Sequence, residues 1–366
     1  LGLEHALWFA NGPNDAHEAP TFDRNRSHEY VAAEVRAVRN AVGVLEIANY
    51  GKHEIKGPGA RDFLARVLAG HLPATDRVTL SPMLTPKGKL YGDLTIARVD
   101  DDRYLILGSG AAQEMHRRWF ERHLPAQGVT YRNASDALHG VAIAGPRSRE
   151  LLQRITRDDV SADGLKFRDV RRTFAGGVPV FLVRLSFSGE LGFEIYCEPQ
   201  FQLALWEQVT AAGADLGLKP YGARALMSLR LEKHWGVWTL DYRPDYTAAE
   251  SGLDAFIDWK RDFVGHAAAA AERERGPSRR LVTLAVDAVD RDVVGDEAIL
   301  QGDRCVGHVT SGGYAHHLGC SMAMGYVPPD CVADGTVLAV EINGRACPAT
   351  VRSAPVYDPA GSRMRS

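Results

Sequence analysis

Three observations predict an α+β protein that ends in a separate all-β unit. Helical and strand patterns alternate through most of the chain without a fixed period, and no internal repeat is visible. The clearest strands come as hairpins, which makes their sheets mostly antiparallel. Past the stretch "AAAAAERERGPSRR" the helical patterns stop, and short strands follow one another with turn signals between them.

The elements follow in chain order. "EYVAAEVRAVRNAVGVLEI" carries apolar residues at helical spacing through about Val42, with Gly43 as the expected C-cap. "HEIKG" reads as a strand, and "GPGARDFLARVLAGHLP" as a short helix closed by Gly70 and Pro73. "LTPKGKLYGDLTIARV" holds a Pro-Lys-Gly turn that opens the second arm of a hairpin. Strand "YLILG", helix "AAQEMHRRWFERHLP" and strand "GVTYRNAS" complete a unit from about residue 50 to 135. "GVAIAGPRSRELLQRIT" restarts as strand, turn and helix, and "GVPVFLVRLSFSGELGFEIYCE" is a long hairpin. "FQLALWEQVTAAGADLG" and "GARALMSLRLEKHWG" are helices. Gly276 and Pro277 mark the boundary to a barrel or sandwich of roughly 90 residues.

Composition narrows the function. The 366 residues suit two or three domains, with 45% hydrophobic and 24% charged residues as in proteins with real cores. A formal charge of -3 gives no support to nucleic-acid binding or to an anionic membrane surface. Five scattered cysteines without a C-x-x-C pair argue against a disulfide framework and a zinc site, and point to a reducing compartment, cytoplasm or mitochondrial matrix. No run reaches the ~18 apolar residues of a membrane-spanning helix. "LGLEHALWFANGP" lacks the basic and apolar regions of a signal peptide, and with no initiator Met the chain is expected to be a trimmed piece.

Several chemical motifs are absent. "LILGSGAAQEMHRR" has Gly108 and Gly110 between strand and helix, but Gln113 holds the third glycine position of a dinucleotide fingerprint and no acidic residue ends a second strand. It reads as a turn that needs small residues, so no flavin or nicotinamide site is expected. His316 and His317 are adjacent and would point to opposite sides of a strand. No H-E-x-x-H, G-x-S-x-G or P-loop occurs.

Three polar residues stand out. Asp93 sits beside Gly92 inside a good strand, where it faces either water or the wall of a site. Glu194 lies between Phe193 and Ile195 and shares its strand face with Gly192 and Tyr196, where it is either solvated or paired with a specific donor. Arg224 shares a helix face with Met227, Ser228 and Leu231, either at the surface or reaching into a cleft.

Taken together and in order, "LSPMLTPKGKLYGDLTI", "SFSGELGFEIY", "GARALMSLRLEKHWGVWTLDYRPDYTAAESGLDAFIDWKRDFVGHAA" and "GHVTSGGYAHHLGCSMAMGYVP" resemble one family. It is the tetrahydrofolate-dependent aminomethyltransferases, typified by the T-protein of the glycine cleavage system, and the likeness runs from about Glu34 to the C-terminus. "GLEHALWFANGPNDAHEAPTFDR" and "EVRAVRNAVGVLEIANYGKHEIKGPGA" are most similar to the folate-binding C-terminal half of dimethylglycine dehydrogenase, dimethylglycine oxidase and sarcosine dehydrogenase.

The resemblance implies a three-domain cloverleaf around a central folate channel. Residues 1–50 and 135–262 would form a discontinuous folate-binding domain, 51–134 an inserted ferredoxin-like domain and 263–366 the β-barrel. It implies tetrahydrofolate as cofactor and a methylated amine, or its iminium or aminomethyl derivative, as donor, giving 5,10-methylenetetrahydrofolate. A flavoprotein domain or subunit is the implied partner. Asp93 would be the catalytic carboxylate near the reactive folate nitrogens, although T-proteins carry two adjacent aspartates there and Gly92 replaces the first. Glu194 would hold the pterin, Arg224 would lie near the folate, and Tyr50 and Ile106 would line the channel. Phe187 replaces a tyrosine common in T-proteins, with loss of its hydroxyl. A free-standing demethylase giving 5-methyltetrahydrofolate stays open as an alternative. So does a non-enzymatic iron–sulfur assembly helper, against which the cysteine-free "LEKHWGVWTLDYRP" argues.

Overall fold

A computed structural model describes residues 4–366 of the chain. The first helix, α1 (Ser27–Asn40), packs Val31, Val35 and Val38 against Tyr221, Ala225 and Leu229. It ends before the expected cap, and Gly43 lies inside strand β1 (Val42–Glu46). The reason is steric. Gly43 pairs with Lys219 on one side and Ala144 on the other, and a Cβ there would stand 2.5 Å from Val38 Cγ2 and 2.7 Å from Tyr221 Cδ1. This glycine permits a close crossing of helix and strand rather than a helix stop.

The chain then builds a second sheet before returning to the first. Its elements are β2 (Gly51–Lys56), α2 (Ala60–Val67), β3 (Arg77–Leu84), β4 (Leu90–Asp100), β5 (Arg103–Gly108), α3 (Gln113–His123) and β6 (Thr130–Asn133). The strands lie in the order β3-β4-β5-β2-β6, all antiparallel. The hairpin turn between β3 and β4 uses Gly88 at φ 75°, a conformation glycine takes without strain. Gly108 ends β5 as a packing glycine, since a Cβ would lie 2.7 Å from Leu94 Cδ2.

The first sheet resumes with β7 (His139–Ala144), α4 (Ser148–Ile155), β8 (Val170–Ala175), β9 (Val178–Val183), β10 (Gly192–Cys197), α5 (Gln202–Gly213), β11 (Leu218–Pro220) and α6 (Ala223–Leu231). Its order is β11-β1-β7-β10-β9-β8, with β1 and β11 the parallel pair. After α7 (His266–Arg275), strands β12 (Arg280–Val286), β13 (Ala298–Gln301), β14 (Arg304–Ala315), β15 (Cys320–Val327), β16 (Val337–Ile342) and β17 (Arg345–Arg352) close into a six-stranded barrel. Closure leaves no free sheet edge.

Each of the two open sheets has two covered faces. Helices α4 and α5 cover one face of the first sheet through Leu151, Leu152, Leu205 and Val209, packed on Phe193 and Ile195. Helices α2 and α3 cover one face of the second through Phe63, Leu64, Trp119 and Phe120, packed on Leu94, Ile96 and Ile106. The remaining faces meet each other. Val78, Ala97, Leu105 and Leu107 of the second sheet pack on Val170, Val183 and Tyr196 of the first. The barrel is tied to the rest by a buried ion pair, Arg230 to Asp241 at 2.6 Å, whose carboxylate also accepts from Ser311 at 2.6 Å and from Thr310. No helix among the described residues is long and apolar enough to cross a membrane.

Candidate functional site

Strand β10 places Glu194 on the face that turns from the helices toward the second sheet. Phe193, Ile195 and Cys197 join the helix-covered core, while Glu194 and Tyr196 alternate to the other side, as a period of two requires. Glu194 is 6% exposed, and the Tyr196 hydroxyl donates to its Oε2 at 2.7 Å. Among the described residues no protein donor bonds Oε1. Burial pushes the Glu194 carboxyl up to about 7, against the Tyr196 hydrogen bond and the Lys52 charge, which both lower it.

A small cavity, about 10 Å³, opens above this carboxyl. Its walls include Tyr50, Leu185, Phe187, Tyr221 and Leu226. Phe187 stacks on Trp235 with ring centroids 5.6 Å apart. A second cavity of about 60 Å³ adjoins it, sharing Leu45, Tyr50, Tyr221 and Leu226 and lined also by His5 and Phe9. Burial, and next the Glu194 charge, push the phenols of Tyr50 and Tyr221 up, so both stay protonated donors at neutral pH. Aromatic walls around one buried acceptor carry the chemistry that a flat heteroaromatic ligand with adjacent N–H groups would use, while volumes of about 10 and 60 Å³ hold only water-sized guests, so a ring enters only as the walls part.

Tyr50, Phe187 and Glu194 therefore meet at one cavity, whereas Asp93, Ile106 and Arg224 are not among its lining residues. Asp93 still takes the same side of its sheet as Ala97, the side that faces the first sheet. Gly92 takes the opposite side, where a Cβ would sit 3.0 Å from His116 Nε2 and 3.3 Å from Met83 Cε. A side chain at position 92 would thus enter the helix-covered core, whereas Asp93 leaves the strand on the opposite face, half-buried, with Asp241 and Tyr242 as its charged and phenolic neighbours. Burial pushes its carboxyl up to about 7, with a further rise from Asp241 and a lowering from its own backbone N–H. A carboxyl near 7 is suited to accept or return a proton at neutral pH.

Ile106, expected to line the channel, is a wall of neither cavity. Ile106 is fully buried and pairs with Ile96 and His53 on the face packed under α3. Its neighbour Leu107, opposite Thr95, takes the face that meets the first sheet. In a strand one residue of offset exchanges core for interface. Arg224 is not a wall of either cavity, although its neighbours Ala223 and Leu226 line the second. From the first turn of α6 it points to the N-terminal segment, where Glu18 takes both guanidinium arms at 2.5 and 2.9 Å and Ser27 accepts at 2.7 Å. The N-terminal partner lies 206 positions away and has no signature in the helix pattern.

Tyr196, Tyr221 and Lys52 were not singled out as site residues by sequence. Alternation placed Tyr196 beside Glu194, which was the available signal. Tyr221 enters the cavity because β11 pairs in parallel with β1, a contact no local pattern shows. Among the described residues no group of three His, Cys, Asp or Glu side chains could hold a metal ion. His316 packs on His28 and His317 on Tyr357, so the adjacent pair does diverge.

Comparison with known proteins agrees with this architecture. The family model "GCVT N-terminal domain" matches residues 1–261, and "Glycine cleavage T-protein C-terminal barrel domain" matches residues 279–358. The chain is 33% identical over 371 residues to the mitochondrial dimethylglycine dehydrogenase of Rattus norvegicus, covering 100% of this chain and 43% of that protein. It thus spans less than half the length of that relative. It is 32% identical over 331 residues to an aminomethyltransferase of Moorella thermoacetica, covering 89% of each. The crystal structure of the glycine cleavage system aminomethyltransferase T from Bartonella henselae superposes with a TM-score of 0.82 at 22% identity, covering 94% of this chain and 95% of that one, a likeness of fold.

Proposed function

The chain belongs to the glycine cleavage T-protein family of aminomethyltransferases, and from that premise we propose that it moves a one-carbon unit from a methylated amine of the dimethylglycine or sarcosine type, as its iminium or aminomethyl derivative, onto tetrahydrofolate. The observation that carries the proposal is the buried Glu194 carboxyl, its Oε1 without a protein donor among the described residues, in one cavity with the rings of Tyr50, Tyr221 and Phe187. A pterin ring offers the flat shape and adjacent N–H donors that such a site accepts.

Tetrahydrofolate supplies the nucleophilic nitrogens that take up the carbon. Glu194 orients the ring by charge-assisted hydrogen bonds, and the aromatic walls hold it flat. Asp93 accepts a proton and stabilises nearby positive charge from the inner face of the second sheet. Holding donor and acceptor together in one site gives the proximity term and keeps water from a hydrolysable iminium. The donor would come from a flavoprotein domain or subunit that oxidises the amine, a partner supported by the likeness to dimethylglycine dehydrogenase over 43% of its length.

The test is the folate product. The chain is incubated with tetrahydrofolate and an N-methyl amine that a flavoprotein amine oxidase oxidises in situ, and the folates are resolved by mass. The expected product is 5,10-methylenetetrahydrofolate, formed faster than with free formaldehyde alone. Formation of 5-methyltetrahydrofolate would instead select the direct demethylase, and an unaltered rate would remove the catalytic claim.

A further inference from the structure

Lys52 has no exposed surface, yet no carboxylate lies within ion-pair distance of it among the described residues. It stands on β2, turned toward the first sheet, because its neighbours His53 and Ile55 take the helix-covered side. Its Nζ donates to three main-chain carbonyls, Ala48 at 2.8 Å, Tyr50 at 3.0 Å and Ile47 at 3.4 Å. Those carbonyls form the turn that ends in Tyr50, a wall of both cavities. The Tyr196 ring lies 6.0 Å from the ammonium. Glu46, Glu194 and Asp136 face it from farther away, and burial brings it down to about 8 against their pull.

A buried ammonium without a counterion is costly, and a neutral donor would serve the carbonyls as well. What a neutral donor lacks is charge. Lys52 is the cation whose field lowers the Glu194 carboxyl, and the Glu194 charge in turn raises the phenols of Tyr196, Tyr50 and Tyr221. We propose that Lys52 is a positioning residue of the cavity, tying the Ile47–Tyr50 turn so that Tyr50 stays at the ligand and setting its positive charge beside the Glu194 carboxylate that takes the ligand. This rests on the folate reading.

The sign follows directly. Without the Lys52 charge Glu194 binds its proton more tightly, so a ligand that needs the carboxylate loses affinity at a higher pH than before. Tetrahydrofolate is titrated into the parent chain, Lys52→Met and Lys52→Arg between pH 6 and 9, with thermal melts to establish folding. Lys52→Met is expected to bind about tenfold more weakly at pH 7, and the pH midpoint of its affinity to rise by about one pH unit. Lys52→Arg keeps the charge and crowds the turn, so its midpoint stays while its affinity falls at least about threefold. A folded Met variant with parent affinity and midpoint, or with weaker binding at an unmoved midpoint, overturns the proposal. Should the Met variant not fold, parent affinity in the Arg variant overturns it. A parent chain that does not bind tetrahydrofolate fails the folate reading itself, whereas a binding parent and an indistinguishable Met variant fail only the role of Lys52.

Discussion

Replacing Glu194 by Gln separates the charge of the carboxylate from its shape. The amide keeps the volume, and its Oε1 can still accept from Tyr196, so the strand and the cavity should survive. The ligand loses a charge-assisted contact in a buried site, worth about 1.5–3 kcal/mol, or about 10- to 150-fold in Kd. A second effect runs the other way. The folded pKa of about 7 lies above the ordinary carboxyl value, so this residue's contribution to stability is full below that ordinary value and is lost as pH rises through 7. At pH 8 the unliganded Gln variant should therefore be the more stable protein, by up to about 3 kcal/mol. The parent must also shed a proton to bind. Its ionised fraction rises from about one-tenth at pH 6 to about nine-tenths at pH 8, so its affinity should climb about tenfold, while that of Glu194→Gln stays flat. Calorimetric titration with tetrahydrofolate at pH 6, 7 and 8 in two buffers of different ionisation heat reads both affinity and proton release. Equal affinity of the two proteins at pH 8, or a parent affinity that does not change with pH, would refute the reasoning.

Other outcomes follow from the same geometry. Asp93→Asn should leave tetrahydrofolate affinity near the parent value and lower turnover by about 10²–10⁴, checked by comparing titration with steady-state rates; a fall under about threefold would make Asp93 structural. Asp241→Asn strands the buried Arg230 guanidinium and should cost about 3–5 kcal/mol of stability in a urea titration, with a value under 1 kcal/mol counting against the role given to this pair. His53 and His116 are held down to about 3 and 4, chiefly by burial, which for His116 outweighs the Tyr91 backbone that favours its charged form. Their folded pKa values lie below the ordinary one, so stability present above about pH 6.5 is lost as pH falls toward 4. His116→Leu should shrink the stability lost between pH 7 and 4.5 by about 2–3 kcal/mol, and unchanged acid sensitivity would show that His116 is not the group that titrates.

The sequence by itself determined the local elements and the sidedness of its strands. The Pro-Lys-Gly hairpin, the strand-to-helix turn at Gly108 and the change to short strands after Gly276 all depend on neighbours within a few residues, and all are present. Alternation alone placed Glu194 and Tyr196 on one face, because a strand's period is two whatever surrounds it. The family was legible because several motifs occur in order over nearly the whole chain. What tertiary structure decided were the contacts between distant segments. Gly43 looked like a helix end and became a strand residue because β11 and β7 claimed both its edges. Ile106 and Leu107 are equivalent apolar residues in a strand pattern, and only the stacking of the two sheets says which one meets the other sheet. Arg224 was drawn to Glu18, and Lys52 to three carbonyls beside it, by packing of the N-terminal segment and of the turn before β2. Periodicity records which way a side chain leaves the backbone; what waits there is set by chain segments that pattern does not connect.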